Sequence, residues 1–375
     1  MEDNVVVFAA NRGYALKSSR TPLIRRFLDN GWRVVLATAD DDESRELCEL
    51  GAELEPVTFN RGGLAPLADA RAYRRMREIY RRWRPALIQH FHAKPVMFGT
   101  LAARQELGCR VRVANAITGL GNAFITGGLA ARLAGFGYAR AIPKGDVTIF
   151  QNRDDQALFL ERGWASVERA RLIASSGVDL QRFANAKRAQ RDPQAPVVVM
   201  LGRLLKQKGI PQFVEVADRI RKQWPGARFL LAGEQELEHP DGVSAEWLAA
   251  QAGVEYLGRL SDVRPTLAEA DVFLFPSYYR EGVPRVVLEA AASGLPTVAF
   301  DVPGVREAVR DGETGFLVPD RDVDALTERT RALLEDAGLR RRMGDAARRM
   351  VEADFDVRAI EQQYLDVYRE LGAEV

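Results

Sequence analysis

Two glutamates eight positions apart, Glu281 and Glu289, stand in the string FPSYYREGVPRVVLEAAASGLP at residues 275–296. A strand is expected to end at Phe275 and Pro276, and a loop then holds Glu281 and Gly282. Pro284 suits the first turn of a helix, where its missing N–H is harmless. The helix should run through Glu289 to about Ser293 and stop at Gly294. Gly282, Val283, Pro284 and Arg285 then form a helix N-terminus with free backbone N–H groups, which favours an anion such as a diphosphate. Glu281 can accept hydrogen bonds from sugar hydroxyls, and Glu289, roughly two turns along, from ribose hydroxyls.

A second string, MLGRLLKQKGI at residues 200–210, follows another expected strand. Its loop brings Gly202, Arg203 and Lys208 to one strand end. A planar guanidinium and a mobile ammonium together suit a leaving diphosphate; the alternative is a solvated turn with ordinary surface charges. In the first half, QHFHAKP and ITGLG follow two successive expected strands, so His90, His92, Lys94, Thr118, Gly119 and Gly121 should face a ligand. The histidines could instead be packing or capping groups, or metal ligands without a visible third partner. The first loop, AANRGYALKSSR, has no clear glycine pair for a phosphate at Asn11, Arg12 or Gly13, which leaves Arg20 as a candidate for an acceptor phosphate. Asp40, Asp41 and Asp42 could hold a metal, but acids at that place more often start a helix.

The elements that must position these residues alternate. Short apolar runs at residues 5–10, 34–38, 86–90, 111–116 and 146–151 read as strands, as do 197–201, 228–232, 254–257, 271–275 and 297–300. Amphipathic helices fill the gaps, for example at 69–84, where Tyr73, Met76, Ile79, Tyr80 and Trp83 mark one face. The pattern implies an α/β protein with two Rossmann-like domains whose parallel sheets face each other across a cleft. The expected division is residues 1–180, a Pro-containing polar linker at 181–196, a second domain at 197–356, and a last helix at 357–375 that returns to the first domain.

Composition supports this. The 375 residues are 47% hydrophobic and 28% charged, as in a globular protein. Two cysteines, Cys48 and Cys109, do not form a C-x-x-C pair, which fits a reducing compartment. Neither a secretory leader nor a membrane-spanning run is evident. Residues 1–175 hold 26 Lys/Arg against 19 Asp/Glu, or +7, and the remainder holds 27 against 33, or −6. The basic half suggests an anionic partner or surface. Basic and apolar residues meet at 71–84 and 126–140, either of which could seat the domain on anionic lipid.

Taken whole, residues 275–296 resemble the E-x7-E segment of glycosyltransferase family 4, a retaining family of GT-B fold, and residues 202–209 resemble its G-R-x-x-x-x-K-G loop. The resemblance implies that Arg203 and Lys208 stabilise the departing diphosphate, with Lys208 chosen over Lys206 because it precedes the glycine. It implies that Glu281 orients the donor sugar rather than attacking it, and that Gly258, Arg259 and Leu260 of YLGRLSDV flank the nucleotide base. The continuation at residues 298–322 also resembles the family and reads mostly as scaffold. The segments at 88–104 and 116–125 resemble a bacterial subgroup that extends undecaprenyl-diphosphate-linked glycans. This assigns His92 to the reacting centre and His90, Lys94, Thr118, Gly119, Gly121 and Arg20 to the acceptor. The expected reaction moves a hexose or N-acetylhexosamine from a nucleotide sugar, UDP-linked, to a lipid-linked saccharide. No cofactor, metal or nucleic acid is expected, and the enzyme should sit on the inner face of the cytoplasmic membrane. Rival readings are a nucleotide-sugar 2-epimerase, a non-catalytic nucleotide-sugar-binding protein, and a transferase with a soluble acceptor.

Overall fold

The structure is a computed structural model that describes residues 4–60, 65–121, 124–125, 127–183, 195–237 and 239–375. Most of the expected linker, residues 184–194, and Thr126 at the head of the 126–140 segment lie outside the described residues. Contacts sort the chain into two units. The first comprises residues 1–176, 280–283 and 358–375, and the second comprises 177–279 and 284–357.

The first unit runs β1 (Val5–Ala9), α1 (Gly13–Asp29), β2 (Arg33–Thr38), α2 (Asp42–Cys48), β3 (Glu53–Pro56), α3 (Pro66–Trp83), β4 (Leu87–Phe91), α4 (Thr100–Leu107), β5 (Arg112–Ile117), α5 (Gly128–Ala141), β6 (Val147–Phe150), α6 (Arg153–Glu161) and β7 (Ala170–Leu172). Among the described residues its sheet is parallel, in the order β3-β2-β1-β4-β5-β6-β7. β1 and β4 are buried along their whole length, as central strands covered on both faces must be, β1 being apolar throughout and β4 carrying the buried polar pair Gln89 and His90. α3 buries Ala72, Met76, Ile79 and Tyr80 and turns its arginines outward. Arg75 and Arg82 pair with Glu55, and Arg77 and Arg81 with Glu106.

The second unit runs β8 (Val197–Leu201), α7 (Ile210–Arg221), β9 (Arg228–Ala232), α8 (Ala245–Ala249), β10 (Glu255–Tyr256), α9 (Arg264–Glu269), β11 (Val272–Phe275), α10 (Arg285–Ala292), β12 (Thr297–Phe300), α11 (Val305–Ala308), β13 (Gly315–Val318), α12 (Val323–Glu335) and α13 (Ala337–Asp354). Its described sheet is also parallel, in the order β10-β9-β8-β11-β12-β13. The last helix, α14 (Val357–Glu370), inserts Ile360, Tyr364, Leu365, Val367 and Tyr368 into the first unit's core beside Phe8, Phe27 and Phe91. At roughly 1.5–3 kcal/mol per buried large side chain, that seam is comparable to the whole stability of a domain.

Three strands escape the sequence pattern: β3, β7 and β13. β3 (ELEP) and β7 (ARL) are sheet edges with half-buried residues, so neither shows an apolar run. β13 (GFLV) is likewise an edge strand of only four residues. Among the described residues no helix is long and apolar enough to cross a membrane.

Candidate active site

In a doubly wound sheet, ligands bind at the strand carboxyl ends where the strand order reverses. In the second unit that point lies between β8 and β11. The loop after β8 carries Gly202, Arg203 and Lys208, and the loop after β11 carries Ser277 to Tyr279. A backbone hydrogen bond from Tyr278 N to Gln207 O, 3.0 Å, ties the two loops together. Gly209 holds φ +84°, and a Cβ there would fall on the Pro276 carbonyl, so the Lys208–Gly209 turn requires glycine. The turn leaves Lys208 only 8% exposed. Its Nζ lies 5.1 Å from the Tyr279 ring centre, and the Arg203 guanidinium lies 6.0 Å from the same ring. Arg203 also pairs with Glu236 at 3.3 Å. The two cations therefore converge on Tyr279 at the reversal point, where anion binding is expected. On the neighbouring strand ends, Gly233 N donates to Gly258 O at 2.9 Å, placing residues 258–260 beside the 233–236 loop.

α10 begins at Arg285, with Pro284 as its N-cap residue. Arg285 Nη2 lies 3.1 Å from Glu289 Oε1. Burial raises the Glu289 carboxyl above its usual range, while Arg285 and Arg182 act to lower it. An enclosed carboxylate steadied by an arginine is a competent acceptor for a hydroxyl pair.

Residues 280–283, which carry Glu281, group with the first unit. Gly121 N donates to Arg280 O at 3.1 Å, and Asn152 Nδ2 donates to Glu281 O at 3.2 Å. Arg280 Nε pairs at 2.8 Å with Asp155, whose side chain is wholly buried. Burial raises the Asp155 carboxyl, and Arg280 and Asn152 pull it back. Asn152 also caps α6, accepting from Asp155 N at 2.7 Å. Contact is close on both sides: a Cβ on Gly119 would lie 2.5 Å from the Glu281 carbonyl carbon, and one on Gly282 would strike Gln151 Oε1 and sit 2.8 Å from Thr118 O. The predicted residues Thr118, Gly119 and Gly121 are thus brought together with Arg280, Glu281 and Gly282. Asn152, Asp155 and Arg280 were not anticipated. Their signal was an Asn-x-x-Asp start to a helix directly after a strand, which reads as ordinary capping.

Other expectations are corrected. His90 does not face a ligand: it is fully buried, with Nε2 2.7 Å from Tyr80 Oη and Nδ1 2.9 Å from Asn115 Oδ1. Burial pushes its pKa down to about 4. A Cβ on Gly99 would collide with its ring, so the H-x-x-x-K-P-x-x-x-G spacing at this point is a packing pattern. Arg20 is 4% exposed, its guanidinium 4.6 Å from the Phe91 ring centre and 4.5 Å from that of Tyr364; it is stacked inside the core and unavailable to an acceptor. Lys94 is paired with Asp69 at 2.6 Å, with both side chains 15% exposed. The acids at 40–42 start a helix, as expected of that place: Asp41 accepts from Gly13 N and Ser44 N, both 2.9 Å, and so caps two helices, while Asp40 pairs with Arg45. His92 remains at the end of β4, half-buried, in a left-handed conformation at φ +70°. Such backbone strain in a side chain other than glycine is found preferentially at functional positions.

Residues 20–176 match the family described as Glycosyl transferase 4-like domain, and residues 181–350 match Glycosyl transferases group 1. The chain is 28% identical to an N,N'-diacetylbacillosaminyl-diphospho-undecaprenol alpha-1,3-N-acetylgalactosaminyltransferase of Campylobacter jejuni, over 96% of this chain and 97% of that protein. Its fold is similar to sucrose-phosphate synthase from Thermosynechococcus elongatus, at TM-score 0.79, 22% identity, and coverage of 98% and 99% of the two chains. It is also similar to Anabaena HepE in complex with UDP, at TM-score 0.77, 18% identity, and coverage of 98% and 100%.

Proposed function

The chain belongs to the glycosyl transferases of group 1, with a 4-like domain in its first half and the GT-B fold, and from that premise we propose that it transfers a hexose or N-acetylhexosamine from a UDP-linked donor to a polyprenyl-diphosphate-linked saccharide. The observation that carries the donor side is the convergence of Arg203 and Lys208 on Tyr279 at the reversal point of the second sheet. The name of the Campylobacter relative, which specifies a diphospho-undecaprenol acceptor, supports the acceptor side, and the UDP complex of HepE supports the nucleotide.

Breaking the donor's glycosidic bond leaves a diphosphate and an oxocarbenium-like sugar. Arg203, Lys208 and the N–H groups at the start of α10 stabilise the departing charge without reorganising. Glu281 holds the sugar through its hydroxyls, a positioning role, and Glu289 accepts from the ribose. The acceptor hydroxyl attacks from the face the diphosphate leaves. A diphosphate oxygen takes its proton, configuration is retained, and no metal is obligate. His92 orients the sugar or the acceptor.

Glu281→Ala and Lys208→Ala should each lower turnover by ~10²-fold or more, the usual scale for one such stabilising group. A panel of nucleotide sugars, scored first by thermal shift and hydrolysis, supplies the donor for that assay. Near-normal turnover in both variants refutes the site.

A further inference from the structure

We infer that the outer face of α5 is the surface through which this protein docks on an anionic lipid bilayer, an inference that rests on the proposed lipid-linked acceptor. Leu129, Leu133 and Phe136 on this helix are 68%, 42% and 61% exposed. At 100° per residue, Leu129, Leu133, Phe136 and Arg140 fall within an arc of about 60°, and Arg132 lies about 40° beyond it. The opposite side holds the buried Gly135, Tyr138 and Ala141, with Tyr138 packed on Phe159 and Trp164. The exposed apolar arc is therefore not an error of register, since the helix already has its own buried seam.

Charge selects the occupant. α5 carries two arginines and no acidic residue. Arg132 and Arg140 are exposed and form no ion pair among the described residues, and the Arg140 guanidinium lies 5.4 Å from the Phe136 ring centre. Large apolar side chains flanked by cations that carry no carboxylate partner match the boundary between acyl chains and anionic headgroups. α3, the other basic amphipathic helix, is unsuited. Its apolar side is in the core, and four of its arginines are occupied by Glu55 and Glu106.

The test is sedimentation of the full chain with phosphatidylglycerol vesicles and with phosphatidylcholine vesicles, alongside hydrolysis of a UDP-sugar in vesicle-free buffer. The wild type should partition onto phosphatidylglycerol. Leu133→Glu with Phe136→Glu should lower that partition by ~10²-fold. Arg132→Gln with Arg140→Gln should lower it by about five-fold per charge on phosphatidylglycerol and leave phosphatidylcholine binding unchanged. Both variants should keep the wild-type hydrolysis rate and melting temperature. A wild type that stays in the supernatant, or a Glu variant that still sediments like the wild type, overturns the docking face. So does a wild type that is dimeric by gel filtration when the Glu variant is monomeric, because a second copy then covers the helix. Hydrolysis without sedimentation defeats docking alone, whereas sedimentation without turnover of any nucleotide sugar defeats the functional reading alone.

Discussion

His90 shows how far a side chain's identity can mislead about its role. A histidine at the end of a central strand is where a proton-transfer group would be sought, yet Tyr80, Asn115 and Thr100 surround it with polar partners in the core. Its native pKa of about 4 lies below the value near 6.5 of an unfolded chain. The unfolded chain therefore takes up a proton that the folded protein refuses as pH falls. The neutral imidazole's contribution is complete above about pH 6.5, declines below it, and levels off near pH 4, a change on the order of 3 kcal/mol. Urea unfolding at pH 7 and pH 4.5 should show that slope in the wild type, and it should be much reduced in His90→Gln. Parallel behaviour would remove His90 as its source. The sequence could not separate this histidine from His92, two positions on, because strand alternation alone does not say where a strand stops. The strand–loop–helix order around Glu281, Glu289 and the Arg203–Lys208 pair was legible because Gly209, Pro284 and Gly294 punctuate it, Glu281 standing in the loop and Glu289 in the helix.

The loop bearing Glu281 belongs to the scale of elements. Its backbone is fixed by hydrogen bonds from Gly121 and Asn152 and by the Arg280–Asp155 pair, and glycines at 119 and 282 allow that approach. Gly282→Ala must push the loop away from Gln151 and Thr118. A displacement of even one ångström in a positioning group lowers turnover by ~10²-fold. Asp155→Asn leaves Arg280 half-enclosed without its counter-charge, which is costly for a buried pair. Steady-state kinetics should show lower turnover in both, with a smaller loss in UDP binding by thermal shift, because Arg203 and Lys208 lie on other loops and still hold the diphosphate when the 282–285 N–H groups move. Unchanged turnover in Gly282→Ala would mean that the loop's placement does not matter for the reaction. The sequence displayed the strand-to-helix order around Glu281. It could not display which residues far along the chain would grip the loop, because Asn152 and Asp155 lie about 125 positions away and their local pattern is that of a helix cap.

At the scale of the whole molecule, the two sheets were readable from alternating apolar runs, and the weak edges β3, β7 and β13 were not. The amphipathic last helix was also visible as a pattern. What sequence could not reveal was the degree to which the first unit depends on it: Tyr368 Oη donates to the buried Gln89 at 2.8 Å, and Trp32 Nε1 donates to Glu374 O at 3.1 Å. Tyr368→Ala should destabilise the protein by about 3–5 kcal/mol, the usual loss for a large buried ring. Deleting residues 358–375 should expose the hydrophobic core beside Phe27 and Phe91, seen as dye binding. The second unit should keep its protection against amide hydrogen exchange. A deletion mutant with wild-type exchange throughout residues 5–29 would show that the helix is an accessory.

That helix also sets an order of events on the ribosome. The polypeptide that forms the first sheet emerges well before the strip that seals it. At about 5–20 residues per second, the roughly 185 residues between Leu172 and the start of α14 take on the order of 10–40 s to synthesise. During that interval the nascent sheet waits with one side unsealed, a state that invites chaperone binding. A chain cut short anywhere between Leu172 and α14 then has a first unit that cannot finish folding, so the fold itself rejects such truncations.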